Sequence, residues 1–169
     1  LNLGEPVLEP VAEGVLPAAL THAERERAMA AGQLGFRARE DGHVTAVAIP
    51  VVSHRGYSGD IRLLVGVRAD GVISGVRVLE QNETPGLGDK IKADKTDWIL
   101  GFAGRRLGDP PIDDWAVKKD GGAFDQFTGA TVSPRAVVEA IEDVLLYVRE
   151  HRRSLFQQPE PDRGKERDD

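Results

Sequence analysis

The sequence predicts an α+β fold, a twisted and largely antiparallel sheet with helices packed against it. Residues 36–79 are β-rich and contain a hairpin signal, and the strongest amphipathic helix starts only after them, near Ser133. Strands followed by helices, rather than alternating with them, argue for a segregated architecture over a parallel sheet. Between the two lies a long stretch punctuated by glycine and proline, which reads as loops and short turns.

Each element has its own reason. Residues 1–17 hold Pro6, Pro10 and Pro17 without sustained periodicity and read as an extended lead-in. Thr21 and Glu24 have capping-box spacing ahead of an Ala- and Arg-rich run that stops at Gly32, which predicts a short surface helix. His43–Val52 is rich in Val, Ala and Ile, with Pro50 marking an edge or a bend. Ile61–Val67 and Val72–Leu79 flank Arg68-Ala-Asp-Gly71, where Asp70-Gly71 supplies the positive φ of a tight hairpin. Asp97–Phe102 predicts a short helix capped by Asp94 or Thr96, and Trp115–Lys118 a short strand. In the last helix Ser133 is expected as the N-cap and Pro134 as the first helical residue. Val137, Val138, Ile141, Val144, Leu145 and Val148 then form one apolar stripe. The organisation expected is a lead-in over 1–35, a domain over 36–153 and a solvated tail over 154–169.

Composition removes several function classes. A chain of 169 residues with a formal charge of −6 does not suit a nucleic-acid reader working through a basic face. The absence of Cys excludes disulfide scaffolds, thiolate metal sites, iron–sulfur clusters and cysteine nucleophiles. No apolar run approaches the roughly 18–20 residues of a membrane helix, so a soluble chain is expected, one that looks cut from a longer protein. His22, His43, His54 and His151 are scattered, with no pair at metal-ligand spacing, and no metal site is expected. Gly56-Tyr-Ser-Gly59 is not a nucleophile elbow, because position 60 is Asp where that turn needs Gly. Pro85-Gly-Leu-Gly-Asp-Lys90 lacks the spacing of a P-loop or a dinucleotide fingerprint.

The informative segment is Asp125-Gln-Phe-Thr-Gly-Ala-Thr-Val-Ser-Pro134. Gly129 and Ala130 leave the backbone nearly bare, and Thr131 then presents a hydroxyl just ahead of the strongest helix. A helix N-terminus offers unpaired N–H groups and the positive end of the macrodipole, so a phosphate at Thr131 would be held there. On spacing alone, an ordinary Thr/Ser helix start explains the segment equally well.

Asp125–Thr131 resembles the D-x-x-[ST]-G-A-T flavinylation motif of the FMN-binding domain family. Gly56–Asp60, Glu83–Lys90 and Trp115–Gly122 extend the resemblance, in the right order, over roughly residues 55–148. Within that family these motifs look like the G subunit of Rnf ion-translocating electron-transport complexes, with the C subunit of sodium-pumping NADH:quinone oxidoreductases as the alternative. The resemblance implies FMN as cofactor, joined by its phosphate to Thr131 by a dedicated flavin transferase. It implies that Asp125 serves recognition or transfer by that enzyme and that Thr128, Gly129 and Ala130 form the turn admitting the cofactor. It sets Glu83, Thr84, Leu87 and Gly88 beside the isoalloxazine ring, with Leu87 in apolar contact and Thr84 or backbone groups hydrogen-bonding. Lys118 or Lys119 would bring positive charge to the flavin or its phosphate. The implied function is electron relay without protein acid, base or nucleophile, alongside other membrane subunits of the Rnf complex. The implied location is the periplasmic side of a bacterial inner membrane, after a membrane anchor missing from this chain. An FMN-binding redox-sensing domain and an unmodified interaction module are rival readings.

Overall fold

A computed structural model describes residues 7–10 and 36–156. The helix expected at 21–31 and the chain from 157 onward lie outside the described residues. Five strands form one antiparallel sheet in sequence order: β1 (Val7–Pro10), β2 (Phe36–Glu40), β3 (His43–Ser53), β4 (Ile61–Arg68) and β5 (Ile73–Glu80). Two helices follow, α1 (Val132–Glu150) and α2 (Arg152–Phe156). The segment expected as lead-in thus supplies an edge strand, and Leu155, beyond residue 153, is fully buried in the core.

The hairpin forms where the sequence places it. Gly71 has φ 86° and donates its N–H to the Arg68 carbonyl, while Asp70 stays on the ordinary side of φ and accepts the Val72 N–H through its side chain. Pro50 sits in β3 opposite Leu64 of β4, beyond Ala48, where the described pairing with β2 ends at Phe36.

Period two writes the core. Ile61, Leu63, Val65 and Val67 alternate along β4 and are fully buried on the face that α1 covers. Val137, Val138, Ile141, Val144, Leu145 and Val148 of α1 meet them. At about 1.5–3 kcal/mol per buried aliphatic side chain, this contact fixes where the start of α1 must lie.

Four local expectations need correction. The N-cap of α1 is Thr131, not Ser133, and it makes no side-chain capping bond. Pro134 is the third helical residue, still inside the first turn, where an N–H has no intrahelical acceptor to lose. Trp115–Lys118 forms no strand; its sheet-like contact is a single bridge from Val117 to Phe124. The segment turns too soon to extend, since Lys118–Asp120 is a 3-10 turn and the Trp115 indole is tied to the Pro110 carbonyl. Over Trp98–Phe102 the helix is of the 3-10 type, with Asp97 at the cap position. Thr96 Oγ accepts the Trp98 N–H at 3.3 Å.

Candidate functional site

Three stretches distant in sequence converge on the start of α1. Glu83 is 4% exposed, and its carboxylate accepts the N–H groups of Tyr57 (2.8 Å) and Ser58 (2.7 Å) and the hydroxyl of Ser133 (2.6 Å). The loop after Glu83 is closed by its own groups: the Thr84 carbonyl accepts the Leu87 N–H, and the Asp89 carboxylate accepts that of Gly86. Gly88 is pressed so closely on the helix that a Cβ there would lie 2.2 Å from Ser133 Oγ. A side chain at Gly88 has no room.

The Asp125–Thr131 stretch is aimed by aromatic rings. Trp98 meets Phe102 and Phe127 edge-on at 5.1 and 5.3 Å, Phe102 stacks on Phe124 at 4.9 Å, and Phe124 touches Trp115 at 4.9 Å. The Trp98 indole N–H donates to the Asp125 carbonyl at 2.9 Å. With Phe124 and Phe127 seated, the chain turns through Phe127–Ala130, closed by the Ala130 N–H on the Phe127 carbonyl. Gly129 takes φ 73° at this turn, a conformation that favours glycine, and a Cβ on it would stand 3.8 Å from Leu87 Cδ2. Leu87 is 40% exposed, so it is a surface residue beside the turn and not part of the core.

Thr131 is half-buried where the turn meets the helix. Its hydroxyl and the N–H groups of Val132 and Ser133 have no hydrogen-bond partner among the described residues. Unpaired amides at the head of a nineteen-residue helix are a fit for an anionic oxygen group. Thr128 is exposed at the tip of the turn, and Ala130 is half-buried. Two of the cations nearby are paired. Lys118 pairs with Asp125 at 2.7 Å, and Arg135 grips Asp120 through two bonds of 2.6 and 2.9 Å. The bond from Arg135 holds the Asp120 carboxyl below its ordinary pKa, with the Arg135 and Lys119 charges adding to the effect, and Asp120 in turn raises that of Arg135. Lys119 otherwise contributes its backbone N–H to Gln126.

Of the residues the sequence singled out, Leu87, Gly129 and the Gly88 backbone gather around the head of α1. Glu83 is there too, but its carboxylate is spent on protein donors. Sequence reasoning missed Ser133 as a buried anchor, the aromatic cradle and the Asp120–Arg135 clamp. The signal for the cradle was present in the pair Phe124 and Phe127 that brackets Asp125. Among the described residues no group of His, Asp and Glu is arranged to hold a metal, and no helix is long and apolar enough to cross a membrane.

The chain is similar to known proteins over this same region. It is 50% identical over 129 residues to the G subunit of an ion-translocating oxidoreductase complex from Vibrio cholerae, covering 76% of this chain and 62% of that one. The corresponding protein from Pseudomonas aeruginosa is 53% identical over 121 residues, covering 72% and 56%. Among solved structures, Shewanella oneidensis NqrC superposes with a TM-score of 0.56 at 26% identity, covering 72% of this chain and 59% of that one. The chain thus spans about three-fifths of the length of these relatives. The family model for the FMN-binding domain matches residues 56–146, more than half of the chain, from the Tyr57 loop to about one turn short of the end of α1, and the protein therefore belongs to the FMN-binding domain family.

Proposed function

We propose that this domain carries FMN as a phosphodiester on Thr131 and works as a fixed electron-transfer station in a Rnf-type ion-translocating oxidoreductase complex. The observation that carries the reading is the Thr131 hydroxyl beside the amides of Val132 and Ser133, all without a hydrogen-bond partner among the described residues. Attachment needs an activated donor of the flavin-dinucleotide class. The Thr131 oxygen bonds to the flavin-side phosphorus as the diphosphate P–O bond breaks. The nucleoside monophosphate leaves with that electron pair, and the hydroxyl proton passes to solvent. Once attached, the phosphodiester is stabilised by the helix amides and macrodipole. The cofactor supplies the electron chemistry, while the protein's contribution is burial, orientation and hydrogen bonding. Leu87, exposed beside the Gly129 turn, forms an apolar rim. Asp125, exposed and paired with Lys118, is available to the modifying flavin transferase.

The Vibrio and Pseudomonas relatives favour the Rnf-type complex over a sodium-pump C subunit, since their identity to this chain is about twice that of NqrC. Other membrane subunits of that complex are the partners, and the periplasmic face of a bacterial inner membrane is the location that goes with this reading. The test is to produce the chain with and without a flavin transferase, denature it, and record mass and visible spectrum. The native chain gains FMN less one water on the peptide containing Thr131, and Thr131→Val stays colourless and unshifted while folding normally. Flavin mapped to Thr128, or absent after denaturation, refutes the proposal.

A further inference from the structure

We infer that Glu83 is a positioning residue for attachment: its buried carboxylate, acting through Ser133, fixes the first turn of α1 and so aims the Thr131 hydroxyl. The inference rests on the reading of Thr131 as the attachment site. A carboxylate that is 4% exposed must find donors for its lone pairs, and Glu83 finds three, all from the protein. One oxygen accepts both the Tyr57 N–H and the Ser133 hydroxyl, and the other accepts the Ser58 N–H. The residue that the family resemblance sets beside the ring thus spends its polar atoms on loop and helix.

The helix geometry explains why Ser133 is the point of leverage. Successive residues are about 100° apart around the axis, so Ser133 lies about 200° from Thr131. Ser133 is 2% exposed and faces inward, leaving the Thr131 hydroxyl on the open side. The anchor and the acceptor are back to back. Gly88 seats its bare backbone against the same bond, with a would-be Cβ 2.2 Å from Ser133 Oγ and 3.0 Å from Glu83 Cβ. The loop that carries Leu87 to the Gly129 turn is therefore indexed to the same carboxylate.

The experiment is steady-state flavin loading by the transferase with a flavin-dinucleotide donor, comparing wild type, Glu83→Gln, Ser133→Ala and the double variant. An amide at 83 directs its NH2 at a backbone N–H that needs an acceptor. The saturating loading rate of Glu83→Gln should fall at least about tenfold, with less than a twofold change in half-saturation for the acceptor chain, because Asp125–Thr131 is untouched. Ser133→Ala keeps both backbone bonds to Glu83 and should fall less, and the double variant should be no slower than Glu83→Gln. Amide exchange on the unloaded chain reads the same device without flavin. Tyr57, Ser58 and Arg135, whose N–H bonds the Thr131 carbonyl at 3.1 Å, should exchange faster in Glu83→Gln. A wild-type loading rate in Glu83→Gln, or a loss that only tracks the folded fraction in a melt, overturns the inference. If the wild-type chain is never loaded, the attachment reading falls by itself. Unchanged exchange at Arg135 would then still overturn the positioning role.

Discussion

Gly88→Ala tests the packing at the head of α1 without reference to any cofactor. The added methyl would sit 2.2 Å from Ser133 Oγ and 3.0 Å from Glu83 Cβ, where carbon contacts are ordinarily beyond 3.4 Å. Neither neighbour is the free end of a flexible side chain. Ser133 Oγ is bonded to Glu83 at 2.6 Å, and the Glu83 Cβ belongs to a residue held at both carboxylate oxygens. Overpacking costs about 1–3 kcal/mol, and breaking a hydrogen bond to a charged group about 1.5–3 kcal/mol. The expected loss is therefore about 3–5 kcal/mol in urea unfolding. Ser133→Ala removes the struck oxygen, so adding it to Gly88→Ala should recover about 1–2 kcal/mol, a coupling typical of residues in contact. Gly129→Ala is the contrast. Its methyl meets nothing closer than 3.8 Å, and only the left-handed backbone at φ 73° penalises it, by about 1 kcal/mol. A Gly88→Ala chain within about 0.5 kcal/mol of wild type would refute the close approach.

Leu87→Asp should leave loading intact and lower the flavin midpoint potential, since a negative charge brought near the ring opposes the negative charge added on reduction; an unchanged redox titration would move Leu87 away from the ring. Asp125→Asn should slow flavin transfer while the thermal melt barely moves, because the pair it breaks with Lys118 is exposed and such pairs contribute about 0–1 kcal/mol; normal incorporation would sink the role given to Asp125. Burial, and then the charges of Asp143 and Glu139, raise the Glu142 carboxyl above its ordinary 4.5, so the folded state holds that proton more tightly than the unfolded one and stability falls as pH rises past that value. Glu142→Gln should therefore stabilise the fold at pH 7, with the gain vanishing on acidification below 4.5; a pH-independent difference between the two urea curves would refute it.

What could be read from the chain alone follows the range of each interaction. The hairpin and the apolar stripe of α1 rest on periodicity and on one Asp-Gly turn, which are local, and both stand where the sequence places them. The N-cap of α1 was misread because Ser133 and Pro134 satisfy the local rules for a helix start. The competing tertiary bond to Glu83, fifty positions earlier, pulls Ser133 inside the first turn. Trp115–Lys118 has strand composition, yet its backbone bonds go to Phe124 and to the turns on either side, and its indole to Pro110, partners that composition does not reveal. The edge strand Val7–Pro10 hides in a proline-marked stretch because an edge needs pairing on one side only. At the site, the motif residues were visible as a string, whereas the ring cradle and the Glu83 hub appear only when chain segments meet.

The charge arrangement around Thr131 has a consequence for how an anion would be held there. Of the basic side chains close by, Lys118 is matched by Asp125 and Arg135 by Asp120, which weakens the local cationic field, while the charge of Lys119 still reaches Asp120. Beside them stands the head of α1, whose Val132 and Ser133 amides are unpartnered among the described residues. Such a site binds through short-range, directional N–H groups and a dipole that fades within a turn, rather than through long-range attraction. It would hold a free phosphate weakly and a covalently delivered one well, because attachment removes the entropy of capture and leaves only orientation to be supplied. Orientation is what the surrounding contacts provide: Ser133 is tied to Glu83, Arg135 to Asp120, and Glu139 to Arg55 at 2.6 Å, all within the first two turns of α1. The geometry thus favours orienting a group attached at Thr131 over capturing a free one.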